Sequence, residues 1–134
     1  MKLSSKSITA IKTFVDLGEH YDEGFISLVD IAKRKEISKK FIEQIVPLFK
    51  ASGLLIANRV NQGGYKLAKN PNEILLKDIV YVTETNLIEN KTNDELIDYI
   101  LLGINSILEN YFANVTLSML IDKQVSSYSN NYII

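Results

Sequence analysis

A chain of 134 residues with 46% hydrophobic and 23% charged residues has the size and composition of one globular domain with room for an appended helix. No apolar run reaches the roughly 18 residues a membrane-crossing helix needs, the opening residues form no secretory h-region, and zero cysteines exclude disulfides, thiolate metal sites and cysteine nucleophiles. The net charge of −1 conceals an asymmetry: residues 1–70 carry 12 Lys/Arg against 7 Asp/Glu, and residues 71–134 carry 3 against 9. Only the first half invites an anionic partner. The expected location is cytoplasmic, with no membrane partner.

Residues 4–18 read as a helix. Ile8, Ile11 and Val15 recur at helical spacing with Phe14 beside them, and Lys6, Lys12, Asp16 and Glu19 fall on the other side. Residues 20–24 make a polar turn. Ser27 then caps a short helix through Arg34, with Asp30 three residues on. Ser38 caps the next helix, and only Lys35-Glu36-Ile37 separates the two, which is helix-turn-helix spacing.

The third helix divides by face: Ile42, Ile45, Val46 and Phe49 point inward, Lys40, Glu43, Gln44 and Pro47 outward. Pro47 lies inside this pattern and should kink or weaken the helix, which ends at Gly53. The period then becomes strand-like. Residues 54–58 and 64–67 flank a turn-forming run, giving a β-hairpin that carries Arg59, Lys66 and Lys69. Three helices and a hairpin make a winged helix-turn-helix, closed by the breaker Asn70-Pro71-Asn72. The fold class is therefore mostly α with a small β-hairpin wing.

A short helix follows over residues 76–84. Thr92-Asn93-Asp94-Glu95 reads as a capping box opening the longest helix, to about Phe112. Ile97, Ile100, Ile104, Ile107 and Tyr111 form one seam, widened by Leu101 and Leu108, while Asp98, Asn105 and Glu109 hold the polar side. A stripe this wide exceeds what one neighbouring helix covers, so it is expected to pack partly on its own chain and partly on a second copy. Thr116 can cap one last turn through Leu120 and Ile121. The resulting division is 1–70 for the winged helix-turn-helix, 71–123 for linker and dimerisation helices, and 124–134 for a polar, flexible tail.

Catalysis has few candidates. The single histidine, His20, sits in a polar turn and reads as a solvated loop residue, and Gly63-Gly64 is a lone pair in a hairpin rather than a phosphate loop. The chain reads as a non-enzyme without cofactor or metal. Nucleic-acid binding fits better. The start of the third helix offers Ser38, Lys39 and Lys40, where free N–H groups and ammonium groups favour phosphate. Gln44 carries the amide that pairs bidentately with adenine in a major groove, Arg59 suits a narrow minor groove, and Gly63-Gly64 permits close backbone approach.

The segments MKLSSK (1–6), SLVDIA (27–32), ISKKFIEQIVPLFKASGL (37–54), RVNQGGYKLA (59–68) and residues 74–84 resemble the Rrf-two (Rrf2) family of bacterial transcription regulators, closely over 1–84 and more loosely beyond. The resemblance implies a homodimeric winged helix-turn-helix repressor bound to a pseudo-palindromic stretch of double-stranded DNA. Ser38, Lys39, Lys40, Glu43 and Gln44 would face the major groove. Arg59 with Asn61, Gln62, Gly63 and Gly64 would reach the minor groove, and Ser5 and Lys6 would meet the backbone. Tyr65 is expected to pack at the wing base. Cluster-binding members place three cysteines before the dimerisation helix, where residues 85–91 hold none, and Ile8 occupies the position of the nitric-oxide sensor's aspartate. A cluster-free member is implied, responding to a metabolite or partner protein if to anything. The rival reading is a protein-interaction module that uses the winged helix and the apolar helix as a docking scaffold.

Overall fold

The computed structural model describes residues 2–60, 63–85, 87 and 91–131, with side chains as far as Tyr128. Helix α1 (Ser5–Glu19) is followed by a 3-10 turn (Tyr21–Glu23), α2 (Leu28–Lys35) and α3 (Lys39–Ala51). Strands β1 (Leu55–Ala57) and β2 (Tyr65–Leu67) pair antiparallel, with Leu55 opposite Leu67 and Ala57 opposite Tyr65. A 3-10 turn (Pro71–Glu73), α4 (Leu76–Thr83), α5 (Glu95–Asn114) and α6 (Leu117–Asn131) complete the chain.

Local chemistry sets the early boundaries. The hydroxyls of Ser4, Ser27 and Ser38 accept from the N–H groups of Ser7, Asp30 and Phe41, each satisfying one orphan donor of a helix start. Glu36 ends α2 in the left-handed region at φ 54°, so the helix-turn-helix corner closes on a non-glycine residue. Helix α3 ends as a Schellman motif: Leu54 N–H donates to Phe49 O at 3.0 Å and Gly53 N–H to Lys50 O at 3.1 Å. Pro47 does not end α3, which continues to Ala51. Its missing N–H leaves the Glu43 carbonyl without a helical partner, on the exposed face where water can serve it.

The core forms where these helices meet. Ala10, Phe14 and Leu17 of α1 pack with Ile31, Ile42, Ile45 and Phe49, and the Phe14 and Phe49 rings meet edge to face at 4.8 Å. Ile74, Ile79 and Leu117 belong to the same core, so residues from beyond Asn70 complete the packing of the first three helices. A smaller cluster of Leu76, Val80, Phe112 and Val115 seats the end of α5 on α4. Leu76 N–H to Val115 O (2.7 Å) and Leu117 N–H to Ile74 O (2.8 Å) tie the start of α4 to the α5–α6 junction.

Three features of the fold depart from the sequence pattern in placement or extent, and others do so at the surfaces. Asp16, placed by periodicity on the polar side of α1, is fully buried and receives two hydrogen bonds from Arg34, at 2.8 and 2.9 Å. A buried carboxylate requires such a partner, and the hydrogen bond to Asp16 holds the Arg34 guanidinium pKa above its ordinary value. The N-cap of α5 is Asp94, whose carboxylate accepts from Leu96 and Ile97 N–H. Thr92 instead donates its N–H and hydroxyl to Asp98. Lastly, α6 is a 15-residue helix rather than one turn, and the expected polar tail from Gln124 is helical as far as Asn131. Its apolar anchors Leu117, Leu120 and Ile121 pack on the main core, and Lys35 Nζ lies 3.4 Å from the Tyr128 hydroxyl.

Candidate nucleic-acid interface

Helix α3 buries one apolar face in the core and leaves its mainly polar face outward. Ile42, Ile45, Val46 and Phe49 are buried, while Ser38, Lys39, Lys40, Glu43 and Gln44 are exposed. Lys39 Nζ lies 3.8 Å from Glu43 Oε1, both well exposed, a loose surface pair of small energetic weight. Ser5 and Lys6 are exposed at the start of α1, and Arg59 is exposed at the wing. Asn61 and Gln62 lie outside the described residues.

The wing is fixed against the start of α2 by its backbone. Ile26, just before α2, exchanges two 2.8 Å hydrogen bonds with Tyr65, an isolated antiparallel bridge that sets one residue of a third chain segment beside the hairpin. Gly64 makes this approach possible: its φ is +84°, and a Cβ there would lie 2.1 Å from the Ile26 carbonyl oxygen. Tyr65 is half-buried and packs against the core, as a wing-base residue should. Between α2, α3 and the wing lies a cleft of about 290 Å³ lined by Ser27, Val29, Lys39, Glu43, Asn58 and Tyr65, among others. The α2 start and Asn58 escape sequence reasoning as members of this surface. Ser27 is legible as a cap, but nothing in the chain signals that it stands opposite a hairpin 30 residues later.

The positive charge of the first half is thinner at this surface than its count suggests. Arg34 is bound to Asp16, Lys35 contacts Glu19 at 2.5 Å, and Lys66 stands over the Phe25 ring at 4.8 Å. Burial alone would lower the Lys35 pKa, but the Glu19 hydrogen bond and charge outweigh it and hold it above the ordinary value. Among the described residues, Lys40 and Arg59 make no ion pair. His20 is not a solvated loop residue. Its Nδ1 lies 2.8 Å from Asp16 O, and Glu23 stands 3.9 Å from Nε2.

A second surface lies on α5. Ile97, Ile100, Ile104, Ile107 and Tyr111 are exposed, Leu101 and Leu108 half-buried, and Phe112 alone is buried on this 20-residue helix. Asp98 and Asn105, assigned to the polar side, are half-buried. The helix therefore shows solvent its apolar face. Its exposed trough of about 400 Å³ runs past Tyr99, Ile100, Gly103, Ile104 and Ile107.

This arrangement, a capped and exposed third helix braced by a hairpin, defines a winged helix-turn-helix protein. The model of the Rrf2 family, described as iron-dependent transcriptional regulators, matches residues 3–123, and the chain belongs to that family. Among curated relatives, the HTH-type transcriptional regulator IscR of Photorhabdus laumondii is 31% identical over 87 residues, 65% of this chain and 53% of that protein. Protein rrf2 of Nitratidesulfovibrio vulgaris is 32% identical over 84 residues, 63% and 56% of the two chains. The chain thus spans about half the length of these relatives. Among solved structures, T. potens IscR superposes with a TM-score of 0.80 at 29% identity, covering 92% of this chain and 88% of that one. The oxidized form of Staphylococcus aureus CymR gives 0.77 at 27% identity, covering 90% and 96%.

Among the described residues no helix is long and apolar enough to cross a membrane, and no three His, Cys, Asp or Glu side chains cluster to hold a metal. An iron–sulfur cluster held by cysteine thiolates does not fit the donor set here, since the chain has no cysteine.

Proposed function

We propose that the protein is a sequence-specific DNA-binding transcription regulator that acts as a homodimer on a pseudo-palindromic operator and represses by occupying promoter DNA, without an iron–sulfur cluster. The observation that carries this reading is the Ser38-capped α3, with Lys40, Glu43 and Gln44 exposed beside a wing held by backbone hydrogen bonds. Membership of a family of transcriptional regulators supports it. Gln44 would pair with adenine, and Glu43 would accept from cytosine N4 and repel wrong registers. The helix start at Ser38, Lys39 and Lys40 would hold phosphate, as would Ser5 and Lys6. Arg59 and the 61–64 wing would enter the minor groove. Residues 1–70 would read DNA while residues 71–123 link and pair two copies through Ile97, Ile100, Leu101, Ile104, Ile107, Leu108 and Tyr111. Absence of cysteine supports a signal other than a thiolate-held cluster, such as a metabolite or a partner protein.

Selection from a random double-stranded DNA library is the test. A two-fold-related consensus is expected, with affinity falling on a log–log salt slope near −7 for ~8 phosphate contacts. On that operator Gln44→Ala or Arg59→Ala should cost about 1–3 kcal/mol, and Gln44→Ala should also relax sequence preference. No enrichment, or mutants equal to wild type, would remove the assignment and leave a docking module.

A further inference from the structure

We propose that Phe41 reads a thymine methyl group in the major groove, beside the base that Gln44 hydrogen-bonds; this rests on the DNA-binding reading above. The outward surface of α3 has two unlike flanks. Lys39 and Glu43 face the cleft shared with the wing. On the other flank Phe41, Gln44 and Leu48 stand at i, i+3 and i+7, a single strip along the helix. Phe41 and Leu48 are each 37% exposed, so the Gln44 amide sits between two apolar side chains on a surface whose other exposed members include Lys39, Lys40, Glu43 and Pro47.

Phe41 belongs to the first turn, its N–H bonded to the Ser38 cap, and the first turns of such a helix are those that reach base edges. Major-groove edges offer ring nitrogens, carbonyls and amino groups, and only thymine adds an apolar feature, its C5-methyl. A phenyl ring entering the groove is therefore matched by thymine alone. Phe41 lies about 4.5 Å along the axis from Gln44, at 1.5 Å per residue, so the thymine lies within one or two base pairs of the Gln44 base. Leu48 lies ~10 Å further along the helix and serves as the internal control.

The experiment uses the operator recovered by library selection. Each thymine is replaced singly by deoxyuridine, which removes only the methyl, and binding of the full chain is followed by fluorescence anisotropy at fixed salt. Wild type should lose about fourfold affinity at one thymine per half-site, the worth of one buried methyl group. Phe41→Ala should bind more weakly yet be indifferent to that replacement. Phe41→Leu, which keeps an apolar side chain, should retain the sensitivity, as should Leu48→Ala. Wild type and Phe41→Ala responding alike at every thymine overturns the Phe41 assignment while leaving DNA binding intact. Failure to recover any operator removes the DNA reading itself, and this proposal with it.

Discussion

Helices α3 and α5 use similar side chains to opposite ends. In α3 four apolar residues are buried and the outward face is mainly polar, with Phe41 and Leu48 partly exposed along one flank, so the helix is a finished part of the core. In α5 only Phe112 is buried, while Ile107 is 71% and Tyr99 76% exposed. Single exposed apolar residues are ordinary, but a continuous apolar helix face is not. The contrast teaches that exposure has two meanings here: α3 shows solvent what a polyanion would bind, and α5 shows what another apolar surface would cover.

The comparison breaks most sharply at a buried residue of the first region. Phe14 is fully buried and packed on Phe49, so Phe14→Ala should cost about 3–5 kcal/mol in urea unfolding. A loss under about 1 kcal/mol would mean that α1 is not the spine of the winged helix-turn-helix half. At α5 the proposed dimer gives a different signature. Ile100→Glu with Ile104→Glu changes exposed positions, so helix content should persist. Ultracentrifugation should show a monomer, and operator affinity should fall by roughly 100-fold as two half-sites lose their linkage. A persistent dimer would assign the apolar face to another partner.

An intermediate effect is expected at Gly64, which tests whether wing and core separate energetically. Gly64→Ala forces a left-handed residue and a clash with the Ile26 carbonyl, costing about 1–3 kcal/mol. Operator affinity should drop through the displaced wing, while sedimentation of the proposed α5 dimer stays unchanged. Thermal unfolding and sedimentation on one sample decide it.

Most of this first region was legible because its signals are local. Serine caps, a 3.6-residue period on α3, and the switch to a two-residue period at the wing each lie within one element. Asp16 was misread because its partner Arg34 is 18 residues away, and periodicity assigns a carboxylate to water by default. Helix α6 was missed past Ile121 because its later residues are mostly Ser, Asn and Gln, and its support is tertiary: the packing of Leu117 and Leu120 on the core and the reach of Lys35 to Tyr128. That Ser27 and Asn58 line one cleft was illegible for the same reason, since the cleft joins elements that lie apart in the chain. The α5 stripe was visible as a pattern. Sequence could not say how little of it the chain itself would cover.

The smallest expected effect is the one whose sign separates the two meanings of exposure. Gly103 lies near the middle of α5, where glycine costs about 1 kcal/mol relative to alanine. A Cβ added there meets nothing within 4 Å. In a chain standing alone, Gly103→Ala should therefore stabilise by about that amount, since the substitution removes backbone entropy from the unfolded state and touches nothing in the folded one. Opposite a second α5, with Gly103 in the trough beside Ile100, Ile104 and Ile107, the absent side chain lets two backbones approach, and the added methyl would hold them apart. Melting temperature followed against chain concentration distinguishes the cases. A rise at low concentration with a weakened concentration dependence places the partner helix at Gly103. A uniform rise at all concentrations leaves Gly103 outside any interface and moves the contact to the Ile97 or Tyr111 end of the seam.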